Sequence, residues 1–155
     1  TTIVETKGHR FESEIPCSRL DDVVSSEDLQ RIKIIKIDVE GAEWSVISGM
    51  PEVLRSCSES LEIVVEISPK RLVALGKSAR EILRVFEMAG FNAYELINDY
   101  SDTAYLPPQS TKSPTRLTRP VEERSVVDLV FSKRNFNALK VERYLLNKPN
   151  LLPKP

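Results

Sequence analysis

The stretch IIKIDVEGAEWSVISGM, residues 34–50, runs isoleucines into an acidic group and then into a helical pattern. The apolar run from Ile32 to Ile37 carries isoleucine on both faces. A strand of that kind belongs inside a parallel sheet covered by helices. Where it gives out, Asp38, Glu40 and Glu43 fall within six residues. One carboxylate at such a place is explained by solvation, or by capping the helix from Gly41, where a negative charge at a helix N-terminus is worth about 0.3–1 kcal/mol. Three carboxylates suggest the rim of a pocket. Helix follows at once: Ala42, Val46 and Ile47 mark one face, and Gly49 stands where a C-terminal cap belongs.

Downstream, Pro51 opens a further turn through Leu54 and Arg55. Leu61–Ile67, LEIVVEI, is a second buried strand, closed by Ser68-Pro69. Ser78-Ala79-Arg80-Glu81 is a capping box opening a helix with apolar positions Ala79, Ile82, Leu83, Phe86 and Ala89, ended by Gly90. Phe91–Ile97 is a third strand. Asn98–Arg124 then lacks periodicity and holds Pro107, Pro108, Pro114 and Pro120, the signature of a long functional or unstructured loop. Ser125–Ser132, SVVDLVFS, is the last strand, and Phe136–Leu146 reads as a helix before an irregular tail. Upstream, Thr1–Glu5 and Phe11–Cys17 alternate as strands do, and Leu20–Gln30 is a short helix or turn in which Asp21 and Asp22 cap the turn near Val23.

The composition sets limits. The 155 residues are 41% hydrophobic and 29% charged, with net charge -1, as in one soluble globular domain. A nucleic-acid surface would need a basic excess or stripe; Lys33/Lys36 and Lys133/Arg134 read as solvated faces. No apolar run approaches the roughly 18–20 residues of a membrane span, and no signal-peptide pattern opens the chain. Cys17 and Cys57 are two isolated thiols without metal spacing, which fits a reducing, cytoplasmic setting. The chain opens at Thr1 and reads as a trimmed or partial polypeptide.

Strand, helix, strand, helix, strand, long loop, strand is the alternation of an α/β domain. With no helix between them, the last two strands can pair antiparallel. This order resembles the second half of an FkbM-type S-adenosylmethionine-dependent methyltransferase. The resemblance is carried by SRLDDVV (18–24), IKIIKIDVEGAEWSVISGM (32–50), LEIVVEISP (61–69) and LRVFEMAGFNAYEL (83–96), with KIDVEGAE the most specific element. It implies a class I methyltransferase (Rossmann-like) sheet, mostly parallel with an antiparallel strand near the end, in the order 3-2-1-4-5-7-6. Ile32–Ile37, Leu61–Ile67, Phe91–Ile97 and Ser125–Ser132 would then be strands 4, 5, 6 and 7. The chain departs from the family upstream of residue 32. No strand there leads into a Gly-rich turn and no acid ends a second strand, so the N-terminal strands and the cofactor-binding half are expected to be missing. The expected organisation is a partial methyltransferase domain over residues 1–134, with loop 98–124 inside it, followed by a C-terminal helix and tail over 135–155.

The resemblance implies S-adenosylmethionine as cofactor of the intact enzyme and transfer of its methyl group to an oxygen of a small-molecule or saccharide acceptor. Asp38 would face both cofactor and acceptor at the switch point of the sheet, with Glu40 and Glu66 as further catalytic candidates. Two carboxylates on neighbouring strand ends, Asp38 and Glu66, can bind a divalent cation such as Mg²⁺, but the sequence establishes no metal site; the bland alternative for Glu66 is solvation or pairing with Lys36 or Lys70. Trp44 reads as packing and His9 as exposed. Without a neighbouring strand 1, Ile32–Ile37 is an apolar edge that a second copy, as a homodimer, or the segments Thr1–Glu5 and Phe11–Cys17 can cover. The same reading expects the 155 residues alone to be inactive. The rival is a non-catalytic α/β binding module that engages a partner through loop 98–124.

Overall fold

A computed structural model describes residues 16–96 and 113–134. These form a mixed α/β arrangement with one five-stranded sheet. Strand β1 (Ile34–Ile37) pairs in parallel with β2 (Glu62–Ile67) in the register Ile34↔Glu62 to Ile37↔Val65. The last strand, β5 (Val127–Ser132), inserts antiparallel between β2 and β3 (Asn92–Leu96), and a two-residue β4 (Thr115–Arg116) adds to the far side of β3. The resulting order β1-β2-β5-β3-β4 begins with the run expected for strands 4, 5, 7 and 6.

β1, β2 and β3 run the same way and β5 runs against them, the strand directions expected for strands 4, 5 and 6 with an antiparallel strand 7 inserted. Because β5 lies between β2 and β3, only the β1–β2 ladder is parallel among the described pairings. Expected burial on both faces of the first strand fails. Ile37 is buried, but Ile34 is 62% exposed, and β1 stands at the end of the strand order. Two-residue alternation sends Ile63, Val65 and Ile67 of β2 to one face, fully buried, while Glu62, Val64 and Glu66 lie half-buried on the other.

Helices cover the first of these faces. The Leu20–Gln30 region resolves into α1 (Leu20–Val23) and α2 (Ser26–Arg31), the latter capped by Ser25, whose hydroxyl accepts from the Asp28 amide. Next come α3 (Glu43–Ser48), with Gly49 at its C-cap, and α4 (Pro51–Ser56), with Pro51 at its first position. Ser68-Pro69 does not simply close a strand. Pro69 opens α5 (Pro69–Ala74), a helix the sequence pattern does not announce, because a proline at N1 starts a helix as readily as it stops a strand. The capping box at Ser78–Glu81 is present and opens α6 (Ala79–Met88). Phe86 of α6 stacks on Phe131 of β5 at 3.7 Å and meets Phe91 edge-on at 5.7 Å, at the centre of the core. Lys133 is not a solvated face: its ammonium lies 5.3 Å from the centroid of the Phe91 ring.

Asn98–Arg124 proves to contain β4, and Pro16 and Cys17 lie in no strand. Thr1–Glu5, most of Phe11–Cys17, His9, Phe136–Leu146 and the rest of 135–155 lie outside the described residues. Among those described, no helix is long and apolar enough to cross a membrane.

Candidate active site

The site is assembled from two strand ends and one turn. Asp38 follows β1 directly, at its carboxyl end. Continuing the parallel register Ile37↔Val65 by one step sets Asp38 abreast of Glu66, near the carboxyl end of β2. The chain then doubles back through Glu40 at φ +54° and Gly41 at φ +108°. The result is that one carboxylate oxygen from each of Asp38, Glu40 and Glu66 lies within 4.8 Å of the others. The three catalytic candidates named from the sequence, Asp38, Glu40 and Glu66, thus meet in one place.

Asp38 and Glu40 each pair with a cation. Lys36, two residues before Asp38 and on the same side of the strand, donates from Nζ to Asp38 Oδ2 at 2.7 Å. The Asp38 carboxylate, by this hydrogen bond and by its charge, raises the Lys36 ammonium above its ordinary value, and Glu66 and Asp128 add to the effect. Arg71 of α5 pairs with Glu40. Exposed ion pairs are worth only about 0–1 kcal/mol, so their work is to orient carboxylates. An all-oxygen donor set of this kind suits a hard cation such as Mg²⁺ or Ca²⁺, and it also suits accepting a hydroxyl proton. A carboxylate is also the group that accepts from ribose hydroxyls. Among the described residues, Gly41, Gly76 and Gly90 take positive φ singly, each at a different turn, and form no glycine-rich cradle.

Glu43 does not join the rim where its sequence position put it. It is 1% exposed, with Oε1 accepting from the Gly41 amide at 2.7 Å. Glu66, from the neighbouring strand, stands in its place. Neither Asp38 nor Glu40 caps α3, whose N-cap is Ala42 with no side-chain hydrogen bond. Asp21 caps a helix, but not near Val23: its two oxygens accept from the Glu52 and Val53 amides at 3.1 and 3.0 Å, at the start of α4. Trp44 packs against the core, with the Lys77 ammonium 4.5 Å from its ring centroid.

Three neighbours are not evident from the sequence pattern. Lys36 reads there as a solvated face or as a partner of Glu66, not of Asp38, although its spacing from Asp38 is a usable signal. Asp128 is 9% exposed and directly opposite Glu66 in the antiparallel ladder; a lone carboxylate inside the apolar SVVDLVFS is its signal. Arg71, on a helix the sequence does not announce, has none.

The family model for the methyltransferase FkbM domain matches residues 3–93, more than half of the chain. The chain belongs to the FkbM methyltransferase family. No curated protein and no solved structure matches it. Asp38, Glu40, Glu66, Lys36 and Arg71 all fall inside the FkbM match, whereas β5 with Asp128 lies beyond it.

Proposed function

We propose that this FkbM domain serves transfer of a methyl group from S-adenosylmethionine to a hydroxyl of a small-molecule or saccharide acceptor, with Asp38, Glu40 and Glu66 on the acceptor side. The observation that carries the reading is the convergence of the three carboxylates within 4.8 Å at the carboxyl ends of adjacent parallel strands. Ligands of open α/β sheets bind beyond those ends. The family supports methyl transfer; the acid cluster supports an acceptor that carries a proton to be removed. Asp38 is the proposed proton acceptor. Lys36 fixes its Oδ2, so that Oδ1 can meet the hydroxyl. Glu40, steadied by Arg71, and Glu66 orient the same group.

The same convergence supports a second reading, in which the three carboxylates hold a divalent cation that orients the acceptor oxygen. Methyl transfer from labelled cofactor by the intact protein, across hydroxylated small molecules and saccharides, tests both. In the first reading Asp38→Asn lowers turnover by about 10²–10⁴-fold, leaves cofactor affinity nearly unchanged, and chelator has no effect. In the second, chelator abolishes turnover and Mg²⁺ restores it. A folded Asp38→Asn protein with native turnover removes Asp38 from either scheme. An intact protein that methylates no acceptor favours the binding-module alternative.

A further inference from the structure

The turn that delivers Glu40 to the cluster is an improbable piece of backbone. Glu40 occupies the left-handed region at φ +54°, which side chains other than glycine seldom enter, and Gly41 follows at φ +108°. Such a conformation persists only when its surroundings over-determine it. Two contacts do so. A side chain at Gly41 would meet the Arg71 Cβ at 3.1 Å, so α5 packs directly on the turn. From inside, the Glu43 carboxylate takes the Gly41 amide at 2.7 Å. That carboxylate is almost wholly buried, and its other oxygen, Oε2, has no hydrogen-bond partner among the described residues. Leaving a buried carboxylate oxygen unpaired is costly. Helix capping alone does not account for it, since any exposed Asp or Ser at the N-cap could serve α3.

We propose that Glu43 is the positioning residue of the cluster. By holding the Gly41 N–H it fixes the left-handed turn, and so sets Glu40 between Arg71 and the carboxylates of Asp38 and Glu66. It touches no reacting group and acts through Glu40. The purpose of the cluster rests on the methyl-transfer reading above; the coupling from Glu43 to Glu40 does not.

Nuclear magnetic resonance of the full chain tests that coupling without any methyl donor, so the two readings fail separately. In the native protein the Gly41 amide proton is expected to lie downfield, as in a charge-assisted hydrogen bond, and to exchange slowly. In Glu43→Ala its exchange quickens by about tenfold or more, and the guanidinium resonances of Arg71, remote in sequence, lose the signature of the Glu40 ion pair. Glu43→Gln, which keeps an acceptor oxygen, retains both features. A folded Glu43→Ala protein with an unchanged Arg71 signature overturns the proposal, because Glu43 would then be only a local support of the turn. Should that variant not fold, the native protein still decides: a Gly41 amide exchanging at the rate of an unstructured peptide overturns it as well.

Discussion

Glu40 is the only non-glycine at positive φ among the described residues, and it lies in the acidic motif. The sequence VEGAE shows a glycine where a strand becomes a helix, but it does not show that the strain falls on the residue before it. Gly41 makes the turn possible in two ways, through a φ that L residues rarely adopt and through room for Arg71. Gly41→Ala is therefore expected to destabilise the fold by about 1–3 kcal/mol. Gly76, at φ +69° with open space within 4 Å of where a methyl group would stand, provides the comparison. Gly76→Ala meets only the backbone term, about 1–2 kcal/mol. Urea unfolding of both variants checks the order, and an equal loss in the two would show that contact with Arg71 contributes nothing.

At the scale of elements, caps divide into those written locally and those supplied from afar. Ser78 and Glu81 are three residues apart, and their reciprocal bonds are readable directly from the sequence. Asp21 and the amides it caps are separated by 31 and 32 residues, so the same chemistry is invisible there. It ties α1 to α4. Asp21→Ala should cost about 0.5–2 kcal/mol, whereas Asp22→Ala, at an exposed neighbour, should stay within about 0.5 kcal/mol. Thermal unfolding of the pair distinguishes them. Equal effects would assign both acids to the turn near Val23, as the local sequence suggests.

For the whole molecule, the core depends on an insertion. Phe131 reaches Phe86 because β5 crosses back between β2 and β3 after the long connection from Leu96. The stacked pair therefore joins the last strand to the helix that precedes β3. Phe86→Ala is expected to cost about 3–5 kcal/mol, while Met88→Ala, two residues on and 80% exposed, should fall within about 0.5 kcal/mol. Chemical denaturation measures both. A small loss for Phe86→Ala would mean that β5 is not integral to the core.

What is local and periodic was legible along the chain: an α/β alternation, the strands near 34–37, 62–67 and 92–96, the helix opened at Ser78, and Asp38 at a strand end. Hydrophobic period and capping chemistry depend on neighbours within a turn or two, and those are written in order along the chain. The FkbM motif also lies within one such junction. Which carboxylates meet was settled by folding alone. Glu43 turns inward because its oxygen is used on the Gly41 amide, and Glu66 takes its place because a parallel register sets residues 28 apart side by side. Arg71 and Asp128 arrive the same way, from a helix and a strand whose positions are fixed by packing. Contacts between distant segments depend on register and layer order, and neither has a signature in any short stretch of sequence.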